Sequence, residues 1–163
     1  GTINLDHYLI SRIEFFSYSM SEYNEIISLT HRNNSGAGLK LVFIRNNWLL
    51  MDISGAPILQ YEKYRNTDPE KKWRWSVRGR IEIMPFSPDV SIRYHAFYIP
   101  EIQNHNIYRT IHDLYAGATI TGRINAGMGY RREYNTYTPE LLEANPLLKK
   151  TDSTFYVQAG ITI

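Results

Sequence analysis

The chain has no cysteine, which excludes disulfides, thiolate metal sites and a cysteine nucleophile. It also lacks a run of 18 or more apolar residues. Runs such as Trp48-Leu49-Leu50-Met51, which stops at Asp52, reach only four residues, so no helix is expected to be apolar over enough length to cross a bilayer. Proline (7) and glycine (10) are sparse among 163 residues, which excludes collagen-like and low-complexity classes. Charge of one sign is lacking too. The net value of +2 gives no field aimed at nucleic acid, and no nucleic-acid partner is expected. The first residues have no basic region followed by an apolar stretch, so no signal peptide stands in this chain, and export would imply one already removed. The length suits one domain, and residues 1–163 read as a single barrel.

What the chain has is aromatics, 13 Tyr, 6 Phe and 3 Trp, and an apolar residue at every second position over long stretches. From Trp73 one face reads Trp73, Trp75, Val77, Gly79, Ile81, Ile83 and the other Arg74, Ser76, Arg78, Arg80, Glu82, Met84. Similar alternation runs through 49–62, 90–98, 124–135 and 154–162; segments near 6–16, 28–45 and 107–121 are less regular. Period two is the signature of a strand with two unlike faces. Pro57, inside one such stretch, implies a bulge or a poorly paired position. About eight strands result. Their connections alternate between short (45–47, 85–88, 121–123) and long (17–35, 63–72, 100–106, 136–151).

This rhythm predicts an all-β, antiparallel up-and-down β-barrel of outer-membrane type, with short turns at one end and long loops at the other. An even strand count places both ends of the chain on the short-turn side. The apolar face carries aromatics beside the long connections: Phe15, Tyr61, Trp73, Tyr98, Tyr108, Tyr134 and Phe155. They are expected to form an aromatic girdle at a lipid–water boundary. The polar face carries Arg74, Arg78, Arg80, Glu82, Arg93, His95, Arg131 and Glu133, an expected network of paired charges plugging a narrow lumen and the candidate binding residues. Arg78, Arg80 or Arg93 is expected to pair with Glu82 or Glu133.

Several segments in order resemble one family. They are Gly36-Ala37-Gly38-Leu39, Gly55-Ala56-Pro57 with Tyr61-Glu62, Trp75 with Arg78-Gly79-Arg80, and Ala118-Thr119-Ile120-Thr121. Gly129-Tyr130-Arg131-Arg132-Glu133-Tyr134-Asn135-Thr136, Pro139 and Lys149-Lys150-Thr151-Asp152-Ser153-Thr154 complete the order before a last strand. This pattern is similar to the domain of unknown function 481 family, some of whose members are labelled salt-induced outer membrane proteins. The resemblance covers the family's C-terminal portion. It implies a bacterial outer-membrane barrel, facing lipid and lipopolysaccharide, which is either closed with eight strands or part of a larger barrel. It supplies no catalytic residues. The final Ile163 departs from the aromatic that usually ends such barrels.

No catalytic residue and no cofactor is assigned. The five histidines lack zinc-protease spacing, so no metal is expected. His95 with Asp113 or Glu82 is the one acid–base pair the faces allow. The expected role is therefore structural and envelope-associated. Two other readings stay open on the residues. One is a soluble lipocalin-like barrel lining a small-ligand cavity with Val77, Ile81, Ile92 and Tyr94. The other is a membrane-barrel lipid hydrolase using His105 or His112 with Ser17 or Ser153.

Overall fold

The computed structural model describes residues 2–10, 12–24, 29–65, 67–85, 89–121, 124–144 and 148–161. The chain is all-β and forms one antiparallel up-and-down sheet curled into a half-barrel. Its strands are β1 (Thr2–Ile10), β2 (Ile13–Asn24), β3 (Leu29–Arg45), β4 (Leu49–Tyr64), β5 (Glu70–Ile83), β6 (Val90–Pro100), β7 (Tyr108–Thr121), β8 (Ile124–Asn135) and β9 (Thr151–Ile161). Among the described residues one short helix, α1 (Pro139–Ala144), sits between β8 and β9. The order is strictly sequential, and among the described residues no pairing joins β1 to β9.

Among the described residues nine strands stand, close to the about eight that the alternation gives. The segment expected as one strand near 6–16 is two strands, β1 and β2, that turn back on each other at Arg12. Most of the expected first long loop, 17–35, is strand: β2 runs to Asn24 and β3 starts at Leu29. The reason lies in the side chains. On β2 the inward face carries Phe16, Tyr18 and Met20, whereas the outward face carries Ser17, Ser19 and Ser21. The polarity of the two faces is locally reversed, so the stretch does not read as a strand of this sheet. Ser19 and Ser35 hydroxyls meet at 3.0 Å, and the Asn33 side-chain amide donates to Ser21 Oγ at 3.0 Å. Because nine is odd, Thr2 and Ile161 lie at opposite ends of the sheet, in place of the shared end expected from eight strands.

The short turns are built locally. Asn46 Oδ1 accepts the backbone N–H groups of Trp48 (3.1 Å) and Leu49 (2.8 Å), an Asx turn that closes β3–β4. At the other end, Thr138 caps α1: its carbonyl accepts from Leu142 N at 3.1 Å, with Pro139 as the first helical residue. The β3–β4 pairing skips Ala37 and Gly38, opposite Ala56 and Pro57. Pro57 has no N–H to give the ladder. The strands approach closely there: a Cβ on Gly38 would lie 2.0 Å from the Gly55 carbonyl oxygen.

The concave face holds the buried residues. A small apolar core of Ala56, Ile58, Ile99 and Ile111 packs with Phe16, Tyr18 and Phe97 at mid-height. A second cluster, Leu29, Tyr64 and Leu148, packs with Tyr137, Leu141 and Leu142, so the β8–β9 connection folds over the long-connection end. The convex face is apolar and exposed, including Leu41, Ile53, Trp75, Val77, Ile81, Ile92, Leu114 and Met128.

Candidate functional site

The strand pleat alone decides which side chains enter the concave space. Asp52 lies on the same face of β4 as Ser54, Ala56 and Ile58, all buried. Register sets Asp52 opposite Arg80 on β5, and Arg78 one inward position further along. Asp52 has a side chain 0 % exposed. It accepts from Arg80 Nε at 2.6 Å and from Arg78 Nη2 at 3.4 Å. The Arg78 and Arg80 side chains remain 27 % and 20 % exposed, so their outer edges reach the open part of the concavity. Arg93 Nε meets Glu82 at 3.4 Å, across the Glu82–Arg93 register pair.

Nearer the long connections the charges are buried more deeply. Arg32 donates to Glu62 (3.2 Å), Glu22 (3.3 Å) and the Tyr64 hydroxyl (3.0 Å). Arg109 donates to Glu133 at 2.7 Å and contacts Glu22 at 3.5 Å, although β7 and β2 are five strands apart in the sheet order. That contact measures how far the sheet curls. Arg131 contacts Glu133 at 3.5 Å, while Arg74 reaches the Ile99 carbonyl at 3.4 Å and Glu101 at 3.9 Å. At the short-turn end Glu14 is shared by Lys40 and Arg45. The Tyr137 phenol, outside the strands, is held above its ordinary range by burial, with Arg32 opposing.

All eight residues expected on the polar face lie on the concave side. Arg93 meets Glu82, but Arg78 and Arg80 meet Asp52, and Glu133 takes Arg109 and Arg131. Arg32, Glu22 and Glu101 were hidden because they fall in segments expected as loops or in the connection after β6. For Glu22 the signal was the inward period Glu14, Phe16, Tyr18, Met20, Glu22. His95 is the register partner of Asp113, but Asp113 Oδ1 accepts from the Tyr156 hydroxyl at 2.8 Å, and His95 Nε2 has no hydrogen-bond partner.

The expected girdle residues face outward. Phe15, Tyr98 and Tyr134 stand on one ladder row, Phe15–Leu39–Gly55–Val77–Tyr98–Thr110–Tyr134. Tyr61, Trp73 and Tyr108 stand further toward the long connections, and Phe155 further from them, opposite Tyr130. Tyr98, Tyr108 and Tyr134 form a run of ring contacts at 5.6 and 5.9 Å. On β2 the outward aromatic closest to the long connection is Tyr23, 66 % exposed, which the misplaced first loop concealed.

Among the described residues no cluster of three or more His, Asp or Glu is arranged to hold a metal ion. His112 Nδ1 pairs with the Tyr94 hydroxyl at 2.7 Å on the outer face. Ser153 lies two strands away through Arg132, roughly 10 Å at the usual strand spacing, too far for a Ser–His pair. No curated protein and no solved structure matches the chain. A family model described as "Protein of unknown function, DUF481" matches residues 1–162, nearly the full length. The alternating faces, the ordered glycine-bearing segments and this match agree, and the chain belongs to the DUF481 family.

Proposed function

We propose that this chain forms the wall of an outer-membrane β-barrel in the bacterial envelope, with a charge-filled lumen and a structural role. The carrying observation is the direction of the two faces. Trp75 is 44 % exposed on the convex side, together with Val77, Ile81 and Ile92. Its neighbours Arg74, Arg78 and Arg80 enter the concavity and meet acidic partners or backbone there. A wall with apolar side chains outward and paired charges inward suits lipid outside and a polar lumen inside. In water it would leave a large apolar surface uncovered. A lipocalin-like cavity requires the reverse, because Val77, Ile81, Ile92 and Tyr94 would have to line the interior.

Lipid and the sugar-phosphate surface of lipopolysaccharide are the partners this reading implies at the convex face and long-connection end. The test is refolding into detergent and liposomes. The expected result is proteoliposome insertion, with gel mobility that shifts on heating. A protein that stays folded and monodisperse in plain buffer contradicts the reading.

A further inference from the structure

The concave surface of β6–β9 near the short turns encloses a groove of about 360 Å³, lined from Asp89 to Gln158. Its chemistry differs from the charge cluster at the other end. We propose that this groove binds a small neutral polyhydroxylated solute, a mono- or disaccharide.

Three features carry the assignment. The first is ring placement. Tyr156 and Tyr115 lie where glycines leave the wall bare: a Cβ on Gly129 would meet the Tyr156 ring at 2.2 Å, and one on Gly127 the Tyr115 hydroxyl at 2.3 Å. Each ring is seated against the wall, and Tyr156 offers a flat surface on which the C–H face of a pyranose can stack. Each position is also fixed by a partner: Tyr156 donates to Asp113 at 2.8 Å, and the Arg93 guanidinium sits 5.5 Å from the Tyr115 centroid.

The second feature is charge balance. Arg93 is already engaged by Glu82, and Asp113 by Tyr156. Among the described lining residues Arg93 stands as the one Arg or Lys, which disfavours phosphate, and none is a large aliphatic, which disfavours an acyl chain. The third is the type of the remaining groups. Ser91, Thr119, Asn125 and Gln158 each offer both a donor and an acceptor. Hydroxyl groups are donors and acceptors at once, so bifunctional amides and hydroxyls are their natural complement. The volume lies within the range of about 300–1,000 Å³ usual for small-molecule sites. Beyond Asp113 the concavity continues at mid-height as a second space of about 350 Å³ beside Arg78, Arg80 and Arg131, and toward the long connections it shrinks to about 20 Å³ among Arg32, Arg74 and Arg109.

The experiment is calorimetric titration of the full chain, refolded in a detergent without a sugar headgroup, with maltose, cellobiose and, separately, sodium phosphate. At least one disaccharide should bind saturably, with Kd on the order of 1 mM. Asn125→Ala and Gln158→Ala should each weaken it about tenfold, the cost of about one neutral hydrogen bond at the upper end of its range. Lys71→Ala, at the far end of the sheet, should leave it unchanged. Circular dichroism and heat-dependent gel mobility verify that each variant folds. Failure of both sugars to bind a correctly folded protein, affinity unchanged from the unmutated protein in both groove variants, or preferential phosphate binding would overturn the proposal. The outcome is independent of membrane insertion: sugar binding by a protein that never enters liposomes sinks the envelope reading and keeps this one.

Discussion

Removing the Asp52 carboxylate isolates the energetics of the lumen. Asp52→Ala leaves Arg80, now at 2.5–2.6 Å from that carboxylate, and Arg78, at 3.4 Å, without their shared acceptor. Breaking a fully buried ion pair costs about 3–5 kcal/mol, chiefly because the surviving charge is stranded. Here both arginines keep part of their surface open to water, 20 % and 27 %, so screening lowers the expected cost to about 2–3 kcal/mol. Asp52→Asn keeps the shape and one acceptor oxygen and should cost about half as much, with hydrogen bonds surviving but the charge lost. In Asp52→Ala/Arg80→Ala, part of the loss should return, giving a coupling of about 1 kcal/mol or more. Urea unfolding of the refolded protein in liposomes, followed by tryptophan fluorescence, gives all three values. A loss below about 0.5 kcal/mol for Asp52→Ala, the level of an ordinary surface change, would refute a paired, load-sharing lumen.

Other perturbations act on separate parts of the fold. Trp75→Arg places a cation on the convex face and should destabilise the liposome-inserted protein by about 2–4 kcal/mol if this position is near mid-bilayer, while an effect below about 0.5 kcal/mol in liposomes would show that Trp75 does not face lipid. Gly38→Ala pushes a methyl into the Gly55 carbonyl at 2.0 Å; it should abolish or strongly reduce refolding, scored by the heat-shifted gel band, and normal refolding would show that β3 and β4 can separate there. Leu148→Ala removes a buried contact to Leu29 and Tyr64, and should speed proteolysis of the 136–150 connection at least severalfold without altering the β signature in circular dichroism. Unchanged cleavage would mean that this connection is held by something other than its apolar contacts.

The sequence was most legible where the two faces stayed distinct. From β4 to β6 most inward positions are polar, small or part of the core, and most outward ones are apolar or aromatic, so alternation located these strands well. It failed at β1–β2 because Ser17, Ser19 and Ser21 face outward while Phe16, Tyr18 and Met20 face in. The turn at Arg12 carries no glycine or proline to mark it. The inward charges were legible as a set, but not their partners. Arg80 meets Asp52 rather than Glu82 because pairing follows cross-strand register, and register is a tertiary property invisible in one strand. Arg109 and Glu22 show the same limit, since only the curl of the sheet brings β7 to β2.

The opposition of the two faces is the central claim, and a chain without cysteine is suited to testing it. Single cysteines placed in turn from Trp73→Cys to Ile83→Cys, spin-labelled and read in liposomes, report contact with lipid-soluble oxygen against a water-soluble relaxing agent. The account predicts a strict period of two, with high oxygen contact at 75, 77, 81 and 83 and low contact at 76, 78, 80 and 82. Uniform exposure to the water-soluble agent along the strand, or alternation with the opposite phase, would contradict it.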